Sequence, residues 1–430
     1  MSLTHPAHAD RTDIDRSTVR IALLGCGTVG SGVANLLLTL GSAIAARSGV
    51  EYSLDAIAVR DVGKPRPAFI PAALLRDDAS VLVNDPAIDL VIECIGGTTI
   101  AAELVEAALV RGKHVVTANK DLLATRGPEL RTLAMARNVM IAYEAAVGGA
   151  IPIVRTLTQS LAGEDILEVG GVLNGTTNFI LSAMFDGESY ESALARAQQL
   201  GFAEADPTND VEGIDAAHKL AILAQLAFRR GLVTHEIPRT GITKITRDDV
   251  SLAKRLGLHL KLVACARAGA SLVTPAYVPD GHPFAQPAGS QNCIRITGRS
   301  SGSLTFAGAG AGSAPTASSV IGDVVAVLRR IAAGRHMGWL PADGALEPVT
   351  AEHEPSIPLR RIVRLHSLRD ARPAGAALAE SNIESEQLEG VPAIVTARVG
   401  NGAPAQIEAV LRAHGVPAQS IIPLWEDADA

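Results

Sequence analysis

Four stretches of this sequence carry side chains whose types and spacing could do chemistry. The densest is Gly201-Phe-Ala-Glu204-Ala-Asp206-Pro207-Thr-Asn209-Asp210-Val-Glu212-Gly-Ile-Asp215-Ala-Ala-His218-Lys219. Glu204, Asp206, Asp210 and Asp215 crowd acids around one lysine, Lys219. Asp215 and Lys219 are four apart on a predicted helix (210–228), so they share a face. That face runs on through Ile222, Leu223 and Leu226, the apolar side. A carboxylate and an ammonium in line with a core stripe are costly to bury unless paired or used. An ion pair snorkelling at a helix end is the plain alternative. The density of acids favours a pocket that binds a cationic group and moves a proton. Pro207, Asn209 and Glu212 read as the start of the helix, with a capping box.

The second stretch is Gly25-Cys26-Gly27-Thr28-Val29-Gly30, which follows the apolar run 19–24. In a G-x-G-x-x-G the glycines permit a tight turn, a close approach of pyrophosphate to backbone, and helix–strand packing. The helix beyond would offer free N–H groups to the anion. A glycine turn without a ligand is the alternative, but the strand before and helix after are what dinucleotide binding requires. The next strand closes Ala58-Val59-Arg60-Asp61, with Lys64 and Arg66 following. Arg60 and its basic neighbours suit a ribose 2′-phosphate and favour NADP, while Asp61 keeps NAD open.

Lys120 ends the third stretch, Val116-Thr117-Ala118-Asn119-Lys120. It sits at the carboxyl end of a strand, where open α/β sheets bind ligands; most lysines are merely surface residues. In the fourth, Glu144-Ala-Ala-Val147-Gly148-Gly149-Ala150-Ile151-Pro152, irregular backbone carbonyls with Glu144 could hold a hard cation through oxygen. An ordinary turn has the same composition. Cys94 is a candidate nucleophile at a strand end, yet no histidine base is placed for it and a small buried thiol is commoner. The four cysteines lie far apart with no C-x-x-C, so they form neither a disulfide framework nor a zinc site.

These residues need a scaffold, and the 430-residue chain has material for two to three domains. Hydrophobic residues are 47% and aromatics 3%, so the core is aliphatic. The net charge of −7, without a basic stretch, argues against nucleic acid or an anionic membrane as the main partner. No apolar run reaches the roughly 20 residues of a spanning helix, and the polar start lacks an apolar signal core. A cytoplasmic protein is expected. Strands alternating with helices over 18–150 predict a doubly wound parallel sheet. They include strands at 53–59, 89–95, 114–117 and 139–142 and helices at 29–46, 101–110 and 128–137. A mixed α+β domain is expected over 151–305, a last helix at 317–331, a linker over 336–357 and a small α+β module over 358–430. Residues 1–17 read as a polar tail.

Taken together, these motifs resemble homoserine dehydrogenase over nearly the whole chain. Besides the stretches above, the resemblance rests on Gly171-Val-Leu-Asn174-Gly175-Thr176-Thr177-Asn178 and Gly310-Ala-Gly312-Ser-Ala-Pro315-Thr316-Ala317. It implies a Rossmann-type nucleotide domain completed by 306–335, a middle domain for substrate and dimerisation, and a homodimer or homotetramer. The implied reaction is NAD(P)H-dependent, reversible reduction of L-aspartate 4-semialdehyde to L-homoserine, on the route to threonine, methionine and isoleucine. Lys219 would be the proton donor, Asp215 its partner, Glu204 the holder of the substrate amino group and Asp210 part of the same pocket, with Lys120 between cofactor and substrate. The implied cofactor contacts are Gly25, Gly27, Thr28, Val29, Gly30, Arg60, Lys64, Gly96, Thr98, Lys120, Gly201 and Gly312. A monovalent cation, usually sodium, maps to Glu144 and the backbone of Val147, Gly149 and Ile151.

Two departures stand out. Asn209 replaces an aspartate that some members carry. The C-terminal module resembles an ACT domain through Asp370-Ala-Arg-Pro373-Ala-Gly375, but the span from there to Val391 is short for a full helix and strand, so assembly rather than threonine sensing is an open role. Two other functions compete: a thiol-dependent semialdehyde dehydrogenase using Cys94, and a non-catalytic nucleotide and amino-acid sensor. The proton-donor set of Asp215, Lys219 and Lys120 speaks against the sensor.

Overall fold

The computed structural model describes residues 18–231, 234–334, 347–348, 357–400 and 402–426. The expected tail and almost all of the linker lie outside them.

β1 (Thr18–Leu24), β2 (Glu51–Ala58), β3 (Leu75–Arg76), β4 (Leu90–Glu93), β5 (His114–Thr117) and β6 (Ile141–Ala142) form one parallel sheet in the order β3-β2-β1-β4-β5-β6. Strands buried on both faces need unbroken apolar runs, which β1 and β4 supply. The order reverses between β1 and β4, so the crevice beyond their carboxyl ends is the natural ligand site. Gly25, at φ +93°, leads out of β1, and a Cβ there would lie 2.7 Å from the Cys94 carbonyl oxygen. Only glycine lets the two loops meet this closely.

Several elements differ from expectation. The helix expected over 29–46 is two, Thr28–Thr39 and Gly41–Ser48, bent by 79°. β3 and the helix Ala79–Asn84, capped by the Asp78 side chain, add to the sheet domain. The helix expected from Pro128 begins at Lys120, because the Asn119 side chain accepts from the Leu122 N–H at 3.1 Å and caps it. Asn209 caps nothing. It lies inside a short helix, Thr208–Val211, and Gly213 at φ +76° turns the chain into Ile214–Phe228.

The middle of the chain makes a second sheet of antiparallel strands: β7 (Ile166–Val172), β8 (Leu258–Arg267), β9 (Ala270–Pro279), β10 (Gln291–Gly298) and β11 (Gly302–Ala309), in the order β11-β10-β7-β8-β9. Helices Gly175–Phe185 and Ile214–Phe228 cover it. The chain then returns to the first sheet, where Ala317, Val320, Val324 and Leu328 of helix Ser313–Ala332 share a core with Val19, Ile21 and Val33. Outgoing and returning segments touch glycine on glycine: a Cβ on Gly149 would lie 2.5 Å from the Gly310 carbonyl carbon.

The C-terminal residues form β12 (Arg360–Arg364), helix Ala371–Glu380, β13 (Ser385–Gln387), β14 (Ala393–Thr396), helix Ala403–Ala413 and β15 (Ser420–Leu424). The short span before Val391 therefore does hold a helix and a strand, of ten and three residues. The Asp370–Gly375 stretch opens that helix, with Asp370 at its N-cap. The module's strands are antiparallel, ordered β15-β12-β14-β13, and β15 pairs in parallel with β9 through Tyr277 and Leu424. One continuous sheet of nine strands results.

Candidate active site

The apolar stripe of helix Ile214–Phe228 carries Asp215 and Lys219 inward, each only 7% exposed. Lys219 Nζ lies 2.8 Å from Asp215 Oδ2 and donates to the Leu173 carbonyl at 2.8 Å. Helix Lys120–Ala136 runs beside it, and Lys120 Nζ reaches the other oxygen of the same carboxylate, Oδ1, at 3.2 Å. One residue on, Asp121 Oδ1 meets His218 Nδ1 at 2.7 Å. The two helices are thus locked together at their first turns by two polar rungs.

Asn174 completes the arrangement. Its Oδ1 accepts from the Thr177 N–H and caps helix Gly175–Phe185, while its Nδ2 donates to Asp215 Oδ2 at 2.8 Å and Asp210 Oδ1 at 2.6 Å. Burial pushes the Asp215 carboxyl up, but Lys219, Lys120 and the bonds from Lys219 and Asn174 outweigh it and hold the group well below the usual range. The Asp215 carboxylate in turn raises Lys120. Burial raises Asp210, which has less compensation. Glu204 stands apart, exposed on the loop before Thr208–Val211.

Most of the expected cofactor contacts gather at the carboxyl ends of β1, β2, β4 and β5, whereas Gly201 follows helix Tyr190–Gln199 in the middle of the chain. Gly27, Gly96, Gly97 and Gly201 have nothing within 4 Å of where a Cβ would stand, so their backbones face open space. Thr28 opens the first helix, with Val29 and Gly30 in its first turn. Gly312, at φ +118°, starts helix Ser313–Ala332, whose Ser313 hydroxyl donates to the Thr28 carbonyl at 2.6 Å. Arg60, Lys64 and Thr98 are exposed along the same rim. These residues fit a dinucleotide: unblocked glycine backbone, a helix N-terminus for phosphate, and cations beside the β2 end.

Sequence reasoning missed Glu93. It is fully buried at the end of β4, where its Oε1 accepts from the Ile95 and Gly96 N–H groups at 2.7 and 2.9 Å, and its Oε2 from the Thr117 hydroxyl. Asn119 Nδ2 donates to the Gly97 carbonyl at 2.7 Å. Together they shape the loop bearing Gly96 and Thr98. The signal was an acid closing an otherwise apolar strand, Leu90-Val-Ile-Glu93.

The Glu144 turn is closely held by hydrogen bonds. The Glu144 carboxylate is 1% exposed and engaged by the Val154 and Arg155 N–H groups, at 2.6 and 3.0 Å, and by Arg155 Nε at 3.0 Å. The carbonyls of Gly149 and Ile151 already accept from the Ser319 hydroxyl and the Ile153 N–H. The Val154 and Arg155 donors fix the carboxylate in place. Cys94 is held as a neutral thiol, since burial and the neighbouring Glu93 push its pKa far up. A thiolate mechanism has no support here.

A family model for the NAD-binding domain of homoserine dehydrogenase matches residues 25–144, and one for homoserine dehydrogenase itself matches residues 152–325. The homoserine dehydrogenase of Mycobacterium tuberculosis is 46% identical over 325 residues, 73% of each chain. The chain belongs to the homoserine dehydrogenase family. The homoserine dehydrogenase of Bacillus subtilis is 42% identical over 321 residues, 74% of each chain. A homoserine dehydrogenase crystal structure from Thiobacillus denitrificans superposes with a TM-score of 0.87 at 35% identity, covering 95% of this chain and 98% of that one. A hyperthermophilic archaeal homoserine dehydrogenase in complex with NADPH superposes at 0.62 with 28% identity, over 72% of this chain and 97% of that one.

As a homoserine dehydrogenase, the protein is an NAD(P)-dependent oxidoreductase acting on a CH–OH group in amino-acid biosynthesis. It interconverts L-aspartate 4-semialdehyde and L-homoserine. Among the described residues no single helix is long and apolar enough to cross a membrane.

Proposed function

We propose that Lys219 is the proton donor of the reduction and that Asp215 and Lys120 hold it in position. The observation that carries this is the shared carboxylate, with one lysine on each oxygen, beside the crevice of the parallel sheet. A bound nicotinamide dinucleotide supplies the hydride, or takes it up in the reverse direction. As the aldehyde carbon receives it, negative charge grows on the carbonyl oxygen, and a nearby ammonium stabilises that charge and then protonates it. Lys219 has three N–H donors. Two point at Asp215 and Leu173, which leaves the third for the substrate oxygen. Asp215 keeps both lysines in fixed geometry, and Lys120, the more exposed of the two, adds positive charge at the cofactor side.

Asp210 and Glu204 receive the substrate's ammonium in this reading, Asp210 from within the pocket and Glu204 from its rim. Arg60 and Lys64 favour NADP over NAD, since their charge suits a 2′-phosphate. Glu144 and the main-chain carbonyls of Val147, Gly149 and Ile151 would hold a sodium ion, with Arg155 bracing the turn; no step of the reaction passes through it. A homodimer or homotetramer would be built on the middle sheet, whose strand β11 is an outer edge, and the enzyme would work in the cytoplasm.

Steady-state reduction of L-aspartate 4-semialdehyde in wild type and Lys219→Met tests the assignment. Loss of kcat by about 10²–10⁴-fold with cofactor binding retained supports it; an unchanged kcat would overturn it.

A further inference from the structure

Strand β12 carries three arginines, and their partners differ by face. Arg360 pairs with Glu386 at 2.7 Å and Glu426 at 3.3 Å, and Arg364 with Asp249 at 2.8 Å and Asp248 at 3.3 Å. Arg361, on the other face, is 5% exposed, yet among the described residues its side chain has no hydrogen-bond or ion-pair partner and its Nε is buried without an acceptor. Burial alone pushes it down to about 10. A guanidinium largely withdrawn from water, with its Nε unpaired, is costly for a fold to keep.

A second orphan donor stands beside it. Trp425 is 1% exposed and its Nε1–H also lacks an acceptor among the described residues. The register pairs Arg361 with Pro423 and Arg360 with Leu424, so Arg361 and Trp425 project from the same face as diagonal neighbours. Leu359 and Phe284, packed with Trp425, wall the place with apolar surface. Here the module's sheet joins the substrate domain's sheet, and the Trp425 N–H donates to the Tyr277 carbonyl at 2.7 Å.

We infer that Arg361 and the Trp425 indole N–H form a binding site for a small carboxylate at the joint between the C-terminal module and the substrate domain. A carboxylate has the two in-plane oxygens that a guanidinium engages in a fork, with lone pairs left for the indole. The site lies at the start of β12, away from the Asp370–Gly375 stretch that follows its far end.

The chain has two tryptophans, so Trp339→Phe leaves Trp425 as its only indole. Fluorescence of that full-length variant is followed during titration with sodium acetate, with acetamide (the neutral isostere) and with sodium chloride. A saturable change with acetate alone is expected, weakened about tenfold or more by adding Arg361→Gln. Should Arg361→Gln fail to fold, Arg361→Lys replaces it, since an ammonium cannot form the fork; it too should weaken acetate binding. No saturable change with acetate, an equal response to acetamide or chloride, or a response unaltered in the Arg361 variants would overturn the site.

Discussion

Lys120 and Lys219 grip opposite oxygens of one buried carboxylate, that of Asp215, at 3.2 and 2.8 Å. They come from separate helices, one joining β5 to β6 of the first sheet and one lying on the second sheet. Asp215 is thus the point where the two halves of the site are brought into register. Asp215→Asn should lower kcat by about 10²-fold, because small misplacements of a catalytic group cost that much. The Asp215 carboxylate is also what raises Lys120, so in pH titration of the purified variant the Lys120 ammonium should lose its proton at lower pH than in wild type. An unmoved Lys120 titration would refute the link.

Glu93 predicts a separable effect on cofactor binding. One oxygen holds the Ile95 and Gly96 N–H groups and the other takes the Thr117 hydroxyl. In Glu93→Gln an amide NH₂ must face one of these donors. The KM for the dinucleotide should rise about tenfold, the cost of a hydrogen bond to a charged group, with the KM for homoserine little changed. Equal rises in both would mean a general loss of structure.

Arg60 should set the choice between the two dinucleotides. Arg60→Ala is expected to lower kcat/KM with NADP by about tenfold or more while sparing NAD. Parallel kinetics with both would show the ratio; an unchanged ratio would exclude Arg60 as the 2′-phosphate contact.

Asp323 predicts a pH-dependent stability. It is 2% exposed, and burial pushes its carboxyl up to about 7, against the pull of Arg155. Its Oδ2 accepts from the Glu144 N–H at 2.8 Å. Because the folded pKa exceeds the unfolded one, the native state binds the extra proton between about pH 4 and 7. This contribution is complete below the unfolded pKa and is lost as pH rises through about 7. It amounts to a few kcal/mol, since each tenfold gain in proton affinity is worth about 1.4 kcal/mol. Urea melts across that range should show wild type losing stability with rising pH, and Asp323→Asn should flatten the slope. A slope unchanged in the variant would contradict this.

Much of this was legible because the signals are local. The apolar run before Gly25 and the spacing of Asp215 and Lys219 each encode geometry within a few residues. What was missed depends on distant partners. The break at Leu40 has no proline to announce it, and the helices on either side pack against Ser313–Ala332, far along the chain. Glu93 reads as an acid at a strand tip until Thr117 and the Gly96 loop close around it. Nor does the sequence announce that Arg155, eleven residues on, closes on the Glu144 carboxylate. Helix Ala371–Glu380 hides behind Pro373 and Gly375, both weak helix formers, and forms because Ala374, Ala377 and Leu378 pack into the module's core.

The most direct test of the account is steady-state oxidation of L-homoserine, with NADP and with NAD, by wild type and Lys219→Ala. Wild type should form reduced nicotinamide, faster with NADP. The folded variant, still binding dinucleotide, should lose that signal by about 10²–10⁴-fold. A wild-type rate retained in Lys219→Ala would contradict Lys219 as the proton-transferring group.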